Sequence, residues 1–285
     1  MTPSPKISVA VATLNRACYL KRMLDSLLQT DYPNLEIIVM DGGSNDGTVG
    51  LLKSYGNKIT RWVSEPDCGE YDALNKGLRE ATGQIMKPMT DDDVLRPQAF
   101  RVAADYFAEH PEVDIVFGRT WTWEERNGKP TLVNQGSPPD AARLTLRNFL
   151  RGTHGVTSLG AFLQRRAFDR IGLFSTQYVP GDFEFWARAA AVGLRMGVVP
   201  DVVVDYHFTG RNGIITKRWR TASDVLAVNV RYGRASDVMH CLWRKYLVAG
   251  IELGCTRLGI HIHPFRTWRR VRSGLLRLKV SLWST

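Results

Sequence analysis

Two apolar runs close to the N-terminus leave few folds open to this chain. Ile7 to Leu14 reads Ile-Ser-Val-Ala-Val-Ala-Thr-Leu, a run of β-branched and small residues typical of a strand buried on both faces. Asn15 and Arg16 end it. Tyr19 to Gln29 then carries Leu20, Met23, Leu24, Leu27 and Leu28 on one helical stripe. After a turn at Asp31 to Asn34, Leu35 to Met40 reads as a second buried strand. Strand, helix and strand in this order make a βαβ unit, so the sheet is expected to be parallel with a right-handed crossover. Ligands of such sheets bind outside the carboxyl ends of the strands. Thr13, Asn15, Asp41 and the run Asp91 to Asp93 all map to such ends.

The run Ser64 to Asp93 carries most of the chemistry. Pro66 to Gly69 reads as a turn. Tyr71 to Ala81 has helical spacing, with Ala73, Leu74, Leu78 and Ala81 on one stripe, and Gly83 stands where a C-cap glycine would. Gln84 to Met89 can then form a strand that delivers Asp91, Asp92 and Asp93 at its end. Adjacent carboxylates raise one another's pKa. A cation among them relieves the repulsion, and an oxygen-only set suits Mg²⁺ or Mn²⁺ rather than Zn²⁺. The alternative is a solvated acidic turn capping the next helix, with Pro97 in its first turn.

Asp41 to Thr48 lacks the alternating ligands of a calcium loop and the Gly-Lys-Ser/Thr of a P-loop. It reads as a turn capping a helix over Thr48 to Tyr55. Ile59 to Ser64 is a third strand candidate, Pro97 to Glu109 a helix, and Asp114 to Thr120 a strand that Trp121 to Glu125 can extend. Asn127-Gly128 suits a hairpin turn into Pro130 to Asn134. Arg143 to Leu150 and Arg165 to Ile171 read as helices. His154 to Leu163 is Gly-rich, then apolar. On the helix opened by Gly181 and Asp182, Phe185 and Trp186 bury, while Glu184 and Arg188 form an i, i+4 pair. Asp182 fits an N-cap there. Val202 to Phe208 is a strand reaching His207.

Composition excludes several classes. The four cysteines, Cys18, Cys68, Cys241 and Cys255, are scattered without a Cys-x-x-Cys pair, which argues against a zinc site or a disulfide framework. The N-terminus lacks the basic and apolar regions of a signal peptide, and no apolar run is long enough to span a bilayer. A cytoplasmic protein is expected. The net charge of +10 is uneven. Residues 211–285 hold 15 Lys and Arg against 3 Asp and Glu, leaving the rest of the chain close to neutral. Lys217 to Tyr232 and Val238 to Leu253 read as helices. Phe265 to Trp283 sets Trp268, Leu275, Leu276 and Trp283 among arginines, a basic amphipathic pattern suited to an anionic membrane surface or to packing on the main domain with a solvated basic face.

Ser-Glu-x-Asp-x-Gly-x-Tyr-Asp-Ala-x-Asn-Lys-Gly from Ser64, then Ala-Thr-Gly, then the Asp run, resembles the family 2 inverting glycosyltransferases of the GT-A fold. The likeness extends from Ile7 to about His207 and is closest in flavour to bacterial polysaccharide-assembly enzymes. It implies a Rossmann-like, mostly parallel twisted sheet flanked by helices over 1–210, with a basic helical extension over 211–285. It implies nucleotide contacts from Thr13, Asn15, Asp41, Asp67 and Lys76. Asp92 and Asp93 align with the pair that handles ribose and metal, Asp91 being an alternative member, and His207 is a candidate metal or phosphate ligand. Asp182 aligns with the general base, where Gly181 replaces a common Glu; Glu184 is a second candidate. The implied donor is a UDP-, GDP- or dTDP-sugar, the cofactor Mn²⁺ or Mg²⁺, and the acceptor a saccharide, lipid-linked at the inner membrane face.

Two rivals remain at this point. A nucleotidyltransferase would carry a Gly-rich, basic loop after the first strand, and Thr13-Leu14-Asn15-Arg16 is not one. A nucleic-acid-binding protein fits poorly with a near-neutral main body lacking an aromatic-rich basic sheet, so no nucleic acid is expected as a partner.

Overall fold

A computed structural model describes residues 4–126, 129–208 and 218–243 of the chain. Strand β1 (Ile7–Thr13), helix α1 (Ala17–Leu28) and strand β2 (Leu35–Asp41) form the expected unit, and every residue of β1 is buried. β1 and β2 are parallel, in register from Ile7 opposite Leu35 to Thr13 opposite Asp41. Helix α2 (Thr48–Tyr55) leads to β3 (Arg61–Ser64), parallel to β2. Helix α3 (Glu70–Glu80) leads to β4 (Ile85–Thr90), parallel to β1 on its other side. All four strands therefore end at one rim. Asp41 stands opposite both Thr13 and Ser64, and Thr90 stands opposite Ala12.

Beyond β4 antiparallel neighbours join the parallel ladders. The remaining elements are β5 (Asp93–Leu95), α4 (Ala99–Glu109), β6 (Ile115–Arg126), β7 (Lys129–Asn134), α5 (Leu146–Arg151), β8 (Ala161–Gln164), α6 (Arg165–Ile171), α7 (Gly181–Val192), β9 (Met196–Phe208) and α8 (Arg218–Tyr232). β8 lies antiparallel between β4 and β6, while β9 runs parallel to β6. The order is β3-β2-β1-β4-β8-β6-β9-β5, with β7 paired to β6. The ladder between β6 and β9 shifts register around Phe117 to Thr120. Such irregularities bend strands. The far halves of β6 and β9, with β5 and β7, form a curled second part of the sheet.

Helices cover both faces, which is why the early strands are apolar on both sides. Leu20, Met23, Phe100 and Phe107 pack on the face carrying Val9, Val11 and Ile37. Leu74, Leu78, Phe168 and Phe185 pack on the face carrying Ala10, Ile38 and Met40.

Gly83 is not a C-cap glycine. α3 ends on Ala81 in an extended conformation, and Gly83 is pressed against β1, where a Cβ would stand 2.6 Å from Ser8 Oγ. Close approach, not a positive φ, selects glycine there.

The structure divides at Asp237, and the unit Met1–Asp237 holds everything described below. Helix α8, in the expected C-terminal extension, belongs to this unit. Its Val228 is fully buried with Ala187 and Leu150, and the Tyr232 hydroxyl donates to Glu184 Oε1 at 2.7 Å. Residues 235–243 are helical, matching the start of the segment expected from Val238. The hairpin turn expected at Asn127-Gly128 and the amphipathic run Phe265 to Trp283 lie outside the described residues. Among the described residues no helix is long and apolar enough to cross a membrane.

Candidate active site

The rim of β1, β2 and β4 gathers polar side chains in a largely apolar sheet. Asp41 is buried, accepting hydrogen bonds from Ser64 Oγ at 2.6 Å, from Ser44 N at 3.1 Å and from Ser44 Oγ. It thereby ties the turn after β2 to the end of β3. Asn15 has a left-handed backbone, φ 53°, a conformation Asn tolerates better than most residues. Its side-chain oxygen accepts from Asn45 N at 2.8 Å, locking the turns after β1 and β2 together. Asp67 follows β3 and accepts from Gly69 N at 2.8 Å. Its carboxylate lies against Gly42, 2.5 Å from where a Cβ would stand.

The three successive acids are not a solvated turn. Asp91, Asp92 and Asp93 are each at most 4% exposed. Thr13 Oγ1 donates to Asp91 Oδ2 at 2.7 Å. Arg16 Nη1 lies 3.0 Å from Asp91 Oδ1, and Arg16 Nη2 lies 2.9 Å from Asp92 Oδ2. Thr90 Oγ1 lies 3.1 Å from Asp92 Oδ1 and 3.2 Å from Asp93 Oδ2. Burial pushes the Asp91 carboxyl up to about 6, although Arg16 and Thr13 pull it down. Burial and the neighbouring Asp92 push Asp93 well above the ordinary carboxylate range, against the pull of Lys87. The Lys87 ammonium is itself fully buried and pushed down by that burial. It donates to the carbonyl oxygens of Ala161, at 3.1 Å, and Leu159.

The N-terminus of α7 brings Asp182 to the cleft that Asp92 lines. Asp182 is not its N-cap: the capping residue is Pro180, with no side-chain cap. Asp182 Oδ1 instead accepts from Phe183 N at 2.8 Å, and Oδ2 accepts from Ser158 Oγ at 2.5 Å. Asp92 and Asp182 line one cleft of about 560 Å³, together with Arg16, Glu70, Tyr71, His154, Ser158 and Trp186. Glu70 reaches solvent but is walled in by the cleft. That desolvation, with Asp182, Asp92 and Asp91 nearby, pushes its carboxyl up to about 7. The Tyr71 hydroxyl is also raised, by burial first and by Asp182 second. His154, stacked on Phe149 with ring centroids 4.7 Å apart, is lowered by burial.

Other sequence candidates fall elsewhere. Lys76 pairs with Glu65 at 2.9 Å and, at 3.6 Å, with Asp72, a residue of the cleft lining, although Lys76 itself does not line the cleft. Glu184 is buried and held by Arg188 at 3.0 Å, so the expected i, i+4 pair forms and this acid does not face the cleft. His207 is half-buried, stacked on Trp123 with centroids 6.3 Å apart. Burial and Arg22 lower it, while Asp205 and Asp92 pull it upward.

The donor set has the chemistry for a hard divalent cation. Asp92 faces the cleft, and the buried Asp93 Oδ1 accepts no hydrogen bond. A buried carboxylate oxygen without a donor suits a metal ion. Among the described residues, no three His, Cys, Asp or Glu side chains stand together as a preformed cage. Arg16 supplies one positive charge to the pair Asp91 and Asp92.

Sequence reasoning missed Arg16, Glu70, Ser158 and Trp186. Arg16 and Glu70 lie inside stretches singled out for other reasons. Ser158 sits in a Gly-rich segment with no motif signal, and Trp186 reads as core.

The family model described as Glycosyl transferase family 2 matches residues 8–172. An uncharacterized glycosyltransferase of Mycobacterium tuberculosis is 29% identical over 195 residues, covering 67% of this chain and 71% of that relative. Among solved structures, S. aureus TarS 1-349 in complex with UDP-GlcNAc superposes with a TM-score of 0.62 at 22% identity. That match covers 78% of this chain and 64% of the TarS chain, less than two thirds of it. The mannosyltransferase PcManGT from Pyrobaculum calidifontis, in complex with GDP-Man and Mn²⁺, gives 0.61 at 22% identity, covering 99% of this chain and 84% of that one. At such identities the two structures bear on the fold.

Proposed function

The chain belongs to glycosyl transferase family 2 and is a glycosyltransferase, and from that premise we propose that it moves a sugar from a nucleotide-sugar to a saccharide hydroxyl with inversion. The observation that carries this reading is one cleft lined by both Asp92 and Asp182. Transfer with inversion needs an anion-handling wall for the donor and a base on the opposite side of the sugar.

On this reading the nucleoside diphosphate lies along the rim. Thr13, Asn15, Asp41 and Asp67 contact the nucleoside, Lys76 offers a charge to the diphosphate, and Asp91 and Asp92 face ribose and phosphate. Asp92 and Asp93, with His207, would hold Mg²⁺ or Mn²⁺, which when bound neutralises charge on the departing diphosphate. Asp182 takes the proton of the acceptor hydroxyl through a carboxylate oxygen. The donors on its two oxygens fix its direction. Tyr71, Phe174 and Trp186 form an apolar wall that limits water around the reacting carbon.

The donor class, a UDP-, GDP- or dTDP-sugar, is supported by the UDP-GlcNAc and GDP-Man bound in the two solved relatives. The acceptor is a glycan, lipid-linked, met at the inner face of the membrane. The transfer chemistry belongs to 1–210, and the strongly basic residues 211–285 approach the anionic surface.

The test is a thermal-shift and hydrolysis screen of UDP-, GDP- and dTDP-sugars, followed by Asp182→Asn with the donor that binds. Retained donor binding with turnover reduced about 10²- to 10⁴-fold is expected. Unchanged turnover in Asp182→Asn removes the base from this reading.

A further inference from the structure

We infer that Ser158, oriented by Trp186, is a positioning residue for Asp182; this rests on the reading of Asp182 as the base. The indole Nε1 of Trp186 donates to Ser158 Oγ at 2.8 Å, and Ser158 Oγ donates to Asp182 Oδ2 at 2.5 Å. An indole N–H only donates, whereas a hydroxyl has one hydrogen and two lone pairs. Trp186 therefore fills an acceptor site of Ser158, and the single hydroxyl hydrogen goes to the carboxylate. The chain of donors has one direction, from the core to the acid.

Both ends of the chain are fixed. Trp186 is 4% exposed and packs edge-on against Phe117 and Phe185, with centroids 5.0 and 5.1 Å apart. Ser158 rides on a short 3-10 turn, Ser158–Gly160, which is clamped from three sides. Lys87 donates to the carbonyls of Leu159 and Ala161. Thr157 Oγ1 lies 2.7 Å from Thr120 Oγ1. Gly160 packs against the Gly118 carbonyl so closely that no side chain fits there. A functional group held by a supporting shell of this kind loses little orientation freedom during reaction. Buried Lys87 also lies near enough to Asp93 to act on its charge. One residue thus braces the turn behind the base and faces the acids behind the donor.

The relay can be read without substrate. In the full chain labelled with ¹⁵N-tryptophan, the Trp186 indole signal is assigned by its loss in Trp186→Phe. Asp182→Asn is expected to shift that signal when Ser158 is present and to leave it in place in the Ser158→Ala background. A signal that ignores Asp182→Asn, or moves equally without Ser158, overturns the inference. Turnover gives a second readout, as release of nucleoside diphosphate from UDP-GlcNAc or GDP-mannose. Ser158→Ala is expected to lower kcat about 10- to 100-fold at an unchanged donor KM, and Ser158→Thr to restore it. A Thr variant as slow as the Ala variant overturns the relay. Failure of the base reading looks different: Asp182→Asn would keep wild-type turnover while the indole signal still responds.

Discussion

The Tyr71 ring fills the space beside Gly181: a Cβ built on Gly181 would stand 2.7 Å from Cδ2 of that ring and 3.0 Å from the Ser175 carbonyl oxygen. The glycine that departs from the family's usual Glu at this position is thus set by packing inside the cleft. Gly181→Ala is expected to destabilise the protein by about 1–3 kcal/mol through overpacking. Tyr71→Ala should relieve most of that cost in the double variant. Urea unfolding of the two single variants and the double variant checks this, and additive losses would show that ring and glycine are independent.

Arg16 is the counter-ion of two buried acids, 3.0 Å from Asp91 and 2.9 Å from Asp92. Its removal leaves two buried carboxylates without their counter-ion. Because about a quarter of Arg16 is exposed, the expected cost of Arg16→Ala is below that of a fully buried pair, about 1–3 kcal/mol at pH 7. Burial pushes the Asp91 carboxyl up to about 6 even with Arg16 beside it, and loss of Arg16 pushes it further up, so at lower pH the acid is neutral and needs no partner. The deficit of Arg16→Ala relative to wild type should therefore shrink between pH 7 and pH 5. Urea unfolding at both values measures it.

Glu70 titrates at about 7 in the folded protein, above its ordinary value, because the cleft desolvates it beside Asp182 and Asp92. The folded chain then holds a proton that the unfolded chain has already released. Stability from this group is present at low pH and is lost as pH rises toward and through 7. Glu70→Gln should flatten the fall in Tm between pH 5 and pH 8, and a calorimetric series across that range tests it. An unchanged slope assigns the pH dependence to other groups.

Divalent metal is expected to matter for donor binding and not for folding. Chelation with EDTA should weaken UDP or GDP binding at least tenfold while Tm of the free protein stays put. Asp93→Ala should abolish the Mn²⁺ stimulation of nucleoside diphosphate binding, because the orphan Oδ1 is lost with it. Calorimetric titration with and without Mn²⁺ reads both. Nucleotide affinity indifferent to EDTA would assign charge neutralisation to Arg16 alone.

The N-terminal part of the fold, from β1 through α1 and β2 to α2, was legible because its signals are local. Continuous apolar runs and a helical stripe need no partner to be recognised, and the rim that carries Thr13, Asp41 and Asp91 follows from them. The pairing of β5 with β9 was not legible. Asp93 stands opposite Tyr206, more than a hundred residues away, in a strand of three residues. No periodicity reports such a partner. The Ser158–Asp182 bond escaped for the same reason, and Gly83 shows the reverse error. A glycine after a helix reads as a cap when only the local chain is considered, but this one is required by Ser8 on β1.

β4 and β5 are joined by two residues, Asp91 and Asp92, yet β4 sits fourth in the sheet order and β5 last. A link this short reaches only about 10 Å, so the curl of the sheet brings the start of β5 next to the end of β4, and Asp92 of that link lines the cleft. Lengthening it by even one residue would slide Asp93 out of its alignment with Tyr206 and move Asp92 from its place in the cleft. The segment 135–140, a surface connection without regular structure, can absorb inserted residues; this one has no slack to give.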